Sequence, residues 1–249
     1  MICLIGGEEK TGKSTLALTF PKPMVYHEFD IGGYDRAKKS DTEYITLHKY
    51  TIPLQASMKN GTMVPSKTVI GIKELWYKFL YDFNQACLND DVKTIVIDTW
   101  YQLWEVARLG VLQEKQELQF DDNGQLKKGE TKIRTALLQI EYGEPNARMR
   151  NIMFYAKGMN KHLVLVTYDK DEYKPQIDPD GRLVEVRTGK KLYAGWSETQ
   201  KHADIALWNR LENGVFTTEI TLPGVVPMEY VGMKFEDFSY DLLAGLIHD

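Results

Sequence analysis

Four short runs of the chain are apolar on both faces: Met1 to Ile5, Met24 to Phe29, Thr94 to Ile97 and Leu163 to Thr167. Runs of this kind predict buried central strands of a parallel sheet. The segments between them carry apolar residues at helical spacing. A helix is expected from about Lys13 to Phe20, stopped by Pro21. Ile72, Leu75, Trp76, Phe79, Leu80 and Phe83 mark an amphipathic helix that ends near Asn89-Asp90-Asp91. Another begins at Trp100, with Leu103, Val106, Ala107 and Val111 on one side. Further helical stretches are expected from about Lys132 and from about Asn146 to Gly158. Strands alternating with helices predict an α/β fold, with a mostly parallel central sheet and helices on both faces.

The last third of the chain reads differently. Tyr173 to Arg187 forms a candidate hairpin around Asp178-Pro179-Asp180-Gly181. Ile205 to Leu211 and Val215 to Leu222 form a second, joined by Asn213-Gly214. A short helix from about Tyr240 to Ile247 follows Ser239 as its cap. Residues 34–70 show short β-like pieces and the turn signal Asn60-Gly61. No internal repeat or low-complexity linker divides the chain. One domain over residues 1–249 is expected, with a polar insertion around 113–145.

Composition narrows the reading. A chain of 249 residues with 43% hydrophobic content can bury one full α/β core. Its formal net charge of −4 argues against an all-over nucleic-acid surface and leaves room for a local basic patch. Cys3 and Cys87 have no CxxC spacing and read as buried thiols of a reducing compartment. The histidines are scattered, without zinc-ligand spacing. No apolar run approaches ~20 residues, and the N-terminus has no secretory pattern. A soluble, cytoplasmic protein without a membrane partner is expected.

The segment Gly7-Glu8-Glu9-Lys10-Thr11-Gly12-Lys13-Ser14 fits the phosphate-loop pattern G-x-x-x-x-G-K-[ST]. A buried strand runs into it and a helix runs out, which is the context the motif needs. Its glycines let backbone N–H groups wrap a phosphate, and the helix N-terminus adds its positive end. Gly7 to Ser14 and the following Thr15 are therefore the candidate nucleotide-binding residues. Lys13 is expected to reach the β- and γ-phosphates of ATP, and Ser14 to ligate Mg²⁺. Asp98, closing Ile95-Val96-Ile97-Asp98, is the expected second holder of the Mg²⁺ shell. A hydrolase also needs a group that orients water. Glu28 and Asp30 are the candidates, because residues two apart on a strand point the same way. Thr167, closing the last buried run, is a candidate γ-phosphate sensor or a strand-end cap.

The stretch from Gly12 to Pro23 resembles phage P-loop proteins of the RecA-like superfamily, including phage RecA-like single-strand annealing ATPases. Glu28-Phe29-Asp30-Ile31-Gly32-Gly33, Thr94 to Thr99, Gly195-Trp196-Ser197 and Ala203 to Trp208 match as well. The resemblance implies a RecA-like core with ATP at the carboxyl edge of its sheet. It also implies homo-oligomers with ATP between protomers, and a role beside other recombination proteins in phage recombination, annealing or replication. Asp30 then stands at the family's catalytic carboxylate. Glu8, Glu9 and Lys10 depart from the small residues usual in this loop, and Thr167-Tyr168 departs from the usual polar or His sensor. The sequence opens at its first core strand, where RecA filaments carry a further joining element.

RecA-like ATPases often complete the site with a basic finger from the next protomer. Arg187, Lys190 and Lys191, together with Arg182, lie where such fingers occur. Residues 127–161 hold eight Lys and Arg against three Glu, with Tyr142, Phe154 and Tyr155 interleaved. Lys127, Lys128, Lys132, Arg134, Arg148 and Arg150 are thus candidate contacts to single-stranded DNA, or a solvated helix face. The leading expectation is an ATPase acting on single-stranded DNA. A nucleotide or small-molecule kinase and a nucleotide-gated assembly protein with little turnover are the alternatives. The base-reading N-K-x-D signal of GTPases is absent, since Asn160-Lys161 is followed by His162-Leu163.

Overall fold

The computed structural model describes residues 1–38, 42–177 and 181–248. In chain order its elements are β1 (Ile2–Gly7), α1 (Lys13–Ala17), β2 (Met24–Glu28), α2 (Gly33–Ala37), β3 (Ile45–Lys49), β4 (Ala56–Lys59), β5 (Thr62–Pro65), α3 (Ile72–Leu88), β6 (Thr94–Asp98), α4 (Trp100–Glu117), α5 (Gly143–Gly158), β7 (His162–Val166), β8 (Asp169–Ile177), β9 (Leu183–Tyr193), α6 (Thr199–His202), β10 (Ile205–Glu212), β11 (Val215–Leu222), β12 (Lys234–Glu236) and α7 (Tyr240–His248).

Among the described residues the main sheet has eight strands in the order β12-β11-β10-β1-β7-β6-β2-β3. Neighbours from β10 through β3 run parallel, and β11 and β12 add antiparallel partners at one edge. Strand alternation sorts the buried runs onto two faces. Ile2 and Leu4 of β1, Ile95 and Ile97 of β6, and Leu163 and Leu165 of β7 pack against α3, α4 and α5. Cys3 and Ile5, Val96, and Val164 and Val166 point the other way, toward α1 and α7. The α/β fold with helices on both faces of a mostly parallel sheet is therefore the observed one. It places the ends of β1, β2, β6 and β7 along one carboxyl edge. Cys3 and Cys87 are free and fully buried. Burial pushes both thiols up, Cys87 to about 12, which leaves them inert at neutral pH.

Three local expectations change. The first helix ends at Ala17 rather than Phe20. No helix starts at Lys132. Instead, the end of α4 and the residues just after it take that backbone: Gln116 Nε2 donates to Arg134 O at 2.6 Å, and Arg134 N donates to Gln119 Oε1 at 2.9 Å. These tertiary bonds satisfy the main chain as a helix would, and α5 starts only at Gly143. Finally, the first C-terminal hairpin is longer than Tyr173 to Arg187, spanning Asp169 to Tyr193. Of its expected turn, Asp178, Pro179 and Asp180 lie outside the described residues. Asn60-Gly61 closes the small β4–β5 hairpin with both φ angles positive, 50° and 76°, the geometry a tight hairpin requires.

Behind the carboxyl edge lies a histidine with a predictable pH effect. Tyr50 gives its single hydroxyl proton to Asp82 Oδ2 at 2.9 Å, so His27 Nδ1–H must donate to Tyr50 at the 2.8 Å contact. His27 Nε2 is buried without a partner among the described residues. Burial first, and the stacked His48 second, push His27 from 6.5 down to about 3. The ring stays neutral in the fold yet protonates near 6.5 once the chain unfolds. The unfolded state therefore binds more protons between these values, and stability falls as pH drops from 6.5 toward 3. The expected slope reaches about 1.4 kcal/mol per pH unit. His27→Phe should flatten it. Urea midpoints at pH 7 and pH 5 test this, and equal pH dependence in both proteins would count against it.

Candidate functional site

The loop between β1 and α1 is held in shape by close backbone packing. Gly7 has φ 138°, and a Cβ there would lie 2.2 Å from the Asn209 carbonyl oxygen of β10. Gly12 has φ 81° and begins α1 as its N-terminal cap residue. Thr11 Oγ1 donates to Glu8 O at 2.8 Å and closes the loop. Glu8, Glu9 and Lys10 are exposed on its rim. Their bulk therefore meets solvent, which explains how the loop accommodates them in place of small residues.

Lys13 is buried, and its ammonium donates to Gly7 O at 3.0 Å and to Glu8 O. Burial lowers its pKa, opposed first by the Asp98 carboxylate. Asp98 ends β6 and is also buried. One oxygen, Oδ2, accepts from Ser14 Oγ at 2.6 Å and from the Tyr26 hydroxyl. Burial pushes the Asp98 carboxyl up, against those two hydrogen bonds and the attraction of Lys13. Asp30 accepts from Ile31 N at 2.8 Å and pairs with Arg36 at 3.2 Å. A Cβ on Gly33 would sit 3.1 Å from Asp30 Oδ2 and 3.4 Å from Asp98 Oδ2. The glycine thus keeps open a cradle that both carboxylates border. Tyr168 closes another wall, its ring centroid 5.5 Å from Lys13 Nζ. Its hydroxyl is raised by burial and by Asp30.

Lys13, Asp98, Asp30, Gly33, Arg36 and Tyr168 line one cavity of about 320 Å³, with Gly12, Ser14, Thr15 and Phe216. A larger groove of about 950 Å³ between α3 and α5 has Arg148 as its single charged lining residue, so phosphate chemistry belongs to the smaller cavity. Its donor set suits Mg²⁺. Ser14 and Asp98 offer hard oxygens, and the described residues hold no group of three or more His, Cys, Asp or Glu that would cage a metal by themselves. Mg²⁺ takes few protein ligands and completes its octahedron with phosphate oxygens and water.

Several sequence expectations separate here. Glu28 does not share the cavity with Asp30. β2 ends at Glu28, and both Phe29 N and Asp30 N turn to Asp98 O, so strand alternation stops before Asp30. The Glu28 carboxylate instead accepts from Tyr34 N at 2.8 Å at the start of α2 and faces Lys49 at 3.5 Å. Thr167 also misses the cavity, donating to Ala194 O at 2.9 Å. Arg187 and Lys191 sit on the β8–β9 ribbon, paired with Asp171 at 2.6 Å and Asp169 at 2.7 Å, while Lys190 is exposed. None of the three lines the cavity.

The basic segment divides. Arg134 pairs with Glu141, Arg148 with Glu114 and Glu144, and Arg150 with Glu198. Lys161 is buried on the Asn89 and Val92 carbonyls. Lys127, Lys128 and Lys132 lie exposed on the loop before α5. The six candidate cations thus form no continuous patch, because acids distant in sequence neutralise the helical ones. Arg36, Tyr26 and Phe216 were not singled out from sequence, and Tyr168 was noted only as a departure from the usual sensor. The signal for Arg36 was available: it lies one helical turn after Gly33 and faces Asp30.

A phosphate loop at the carboxyl edge of a parallel sheet, facing a hydroxyl–carboxylate pair across an intervening strand, defines a P-loop nucleotide-binding protein. The sequence model described as an AAA domain matches residues 1–199, and the chain belongs to that family of P-loop NTPases. No curated protein matches the chain. No helix among the described residues is long and apolar enough to cross a membrane.

Proposed function

We propose that the protein binds Mg·ATP and hydrolyses its γ-phosphate. The observation that carries this is the convergence of Lys13, the Ser14–Asp98 pair and Asp30 on one cavity. Lys13 and the loop N–H groups hold the β- and γ-phosphates, where negative charge develops. Ser14 and Asp98 hold Mg²⁺, which supplies charge neutralisation on the phosphate oxygens. Asp30 orients the attacking water and accepts its proton. Arg36, in the same chain, places a cation beside the γ-phosphoryl group that is transferred to water. That role is supported by its 3.2 Å contact with Asp30.

Phage origin and action on single-stranded DNA are the finer part of the proposal. They are supported by the resemblance of the motif set and by the exposed Lys127, Lys128 and Lys132. Homo-oligomers with the nucleotide near a protomer boundary are supported by the β8–β9 ribbon. It leaves the cavity wall at Tyr168 and exposes Tyr173, Ile177 and Leu183 to solvent; Lys190 is its candidate finger.

Phosphate release from Mg·ATP, with and without single-stranded DNA, tests the reading. Asp30→Asn should reduce release by about 10²-fold or more, whereas Glu28→Gln should stay within a few-fold of the native rate. Equal losses in both variants would return the water-orienting role to an open choice. Binding without release would favour a nucleotide-gated assembly protein, and transfer to an added nucleoside would favour a kinase.

A further inference from the structure

The cavity has two unlike ends. In the sheet, β11 lies two strands to one side of β1, and β6 lies two strands to the other. The carboxylates Asp98 and Asp30 stand on the β6 and β2 side. From β11 the cavity takes one lining residue, the aromatic ring of Phe216. That ring belongs to neither core cluster and is 47% exposed. It lies against the phosphate loop, so that a Cβ on Gly12 would come within 3.3 Å of it.

Its placement is fixed from below. Asn209 Nδ2 donates to Thr11 O at 3.3 Å, and Thr218 Oγ1 donates to Asn209 Oδ1 at 3.2 Å. The β10–β11 hairpin is therefore tied to the loop that takes the phosphates, and Phe216 is carried at a set position beside it. A large ring held half in water leaves much of its apolar surface unburied. Beside a triphosphate site it offers a flat apolar face to whatever follows the α-phosphate.

We propose that Phe216 is the base-stacking residue of this site, taking the purine ring of the nucleotide on its exposed face. The inference rests on the Mg·ATP reading above and adds to it the recognition of the base. The γ end of the nucleotide points toward Asp98 and Asp30, and the base leaves past Gly12 onto β11. Residue 216 lies beyond the family match, which ends at residue 199. Base recognition is then supplied by a part of the chain outside that match, tied to the phosphate loop through Asn209 and Thr11.

Calorimetric titration of the protein with Mg·ATP and with Mg·tripolyphosphate, which lacks a base, tests this. The native protein should bind ATP more tightly than tripolyphosphate. Phe216→Ala should weaken ATP by roughly 5- to 100-fold, the range of base–aromatic stacking, and leave tripolyphosphate within about twofold. Phe216→Trp should restore ATP binding, and Lys13→Ala should weaken both ligands. The proposal is overturned if Phe216→Ala leaves ATP affinity unchanged, if it weakens both ligands alike, or if Phe216→Trp behaves like alanine. A native protein that binds neither ligand overturns the nucleotide reading itself. One that binds both equally overturns only the role of Phe216.

Discussion

Lys13→Ala is expected to lower phosphate release from Mg·ATP by about 10²- to 10³-fold or more and to leave the fold nearly as stable as before. The two halves of that expectation have one cause. The Lys13 ammonium is buried, and burial lowers its pKa despite the nearby Asp98. A cation whose charged form is disfavoured in the fold stabilises little at neutral pH. Sign and window follow from the direction of the shift. Its contribution is present above the ordinary lysine value and lost as pH falls through the lowered one. The charge is held there for a ligand. Two of its three protons rest on the carbonyls of Gly7 and Glu8, acceptors that phosphate oxygens outbid because they carry charge. Alanine removes the cation that the phosphates need, and the two carbonyls it frees offset part of the relief of the buried charge. Lys13→Met, which keeps the apolar stem, should lose as much activity with a smaller change in melting temperature. Phosphate release and thermal melts on the same preparations decide it. Release within threefold of native in both variants would sink the proposed role.

The parts of this site that were legible in the sequence are those in which chemistry is local. The phosphate loop requires glycine at Gly7 and Gly12, because the backbone there takes φ angles of 138° and 81° and a neighbouring carbonyl occupies the Cβ space of Gly7. The buried strands were equally visible, because β1, β6 and β7 are covered on both faces and so are apolar throughout. What could not be read depends on where distant segments meet. Strand alternation placed Glu28 and Asp30 together, yet β2 ends at Glu28 and the chain turns onto the Asp98 carbonyl. The charge count of residues 127–161 could not show that Glu114, Glu198 and Asp204 neutralise Arg148, Arg150 and Lys157. The helix expected at Lys132 failed because the side chains of Gln116, on α4, and Gln119, just after it, bind that backbone instead. Phe216, over two hundred residues from Gly7, reaches the loop only through the β10–β11 hairpin.

Asp98→Asn is expected to destroy activity and stabilise the protein, the clearest mark of a residue kept for chemistry rather than for folding. Asn Oδ1 can accept the same hydrogen bonds from Ser14 and Tyr26 that Asp98 Oδ2 accepts now. What disappears is the buried charge. Burial raises the Asp98 carboxyl, and neither those bonds nor the attraction of Lys13 cancels that effect. A raised acid is most favourable to the fold below its unfolded value of 3.8 and loses that advantage as pH rises through the folded value. The native protein therefore gives up stability above pH 3.8 that the asparagine variant retains. The gain should be on the order of 1 kcal/mol, about 2–4 °C in Tm, at pH 7 without nucleotide or Mg²⁺, and it should vanish near pH 3. Adding Mg·ATP should reverse the order. The native carboxylate gains a cation that repays its desolvation, so its Tm rises with ligand concentration, while the variant, short of one Mg²⁺ ligand, gains less. Phosphate release should fall by at least about 10²-fold. Thermal melts of both proteins at pH 3 and pH 7, with and without Mg·ATP, separate the effects. If the variant is less stable than the native protein at pH 7 without ligand, Asp98 is a structural ion-pair partner of Lys13, and the assignment of Mg²⁺ to the Ser14–Asp98 pair loses its energetic support.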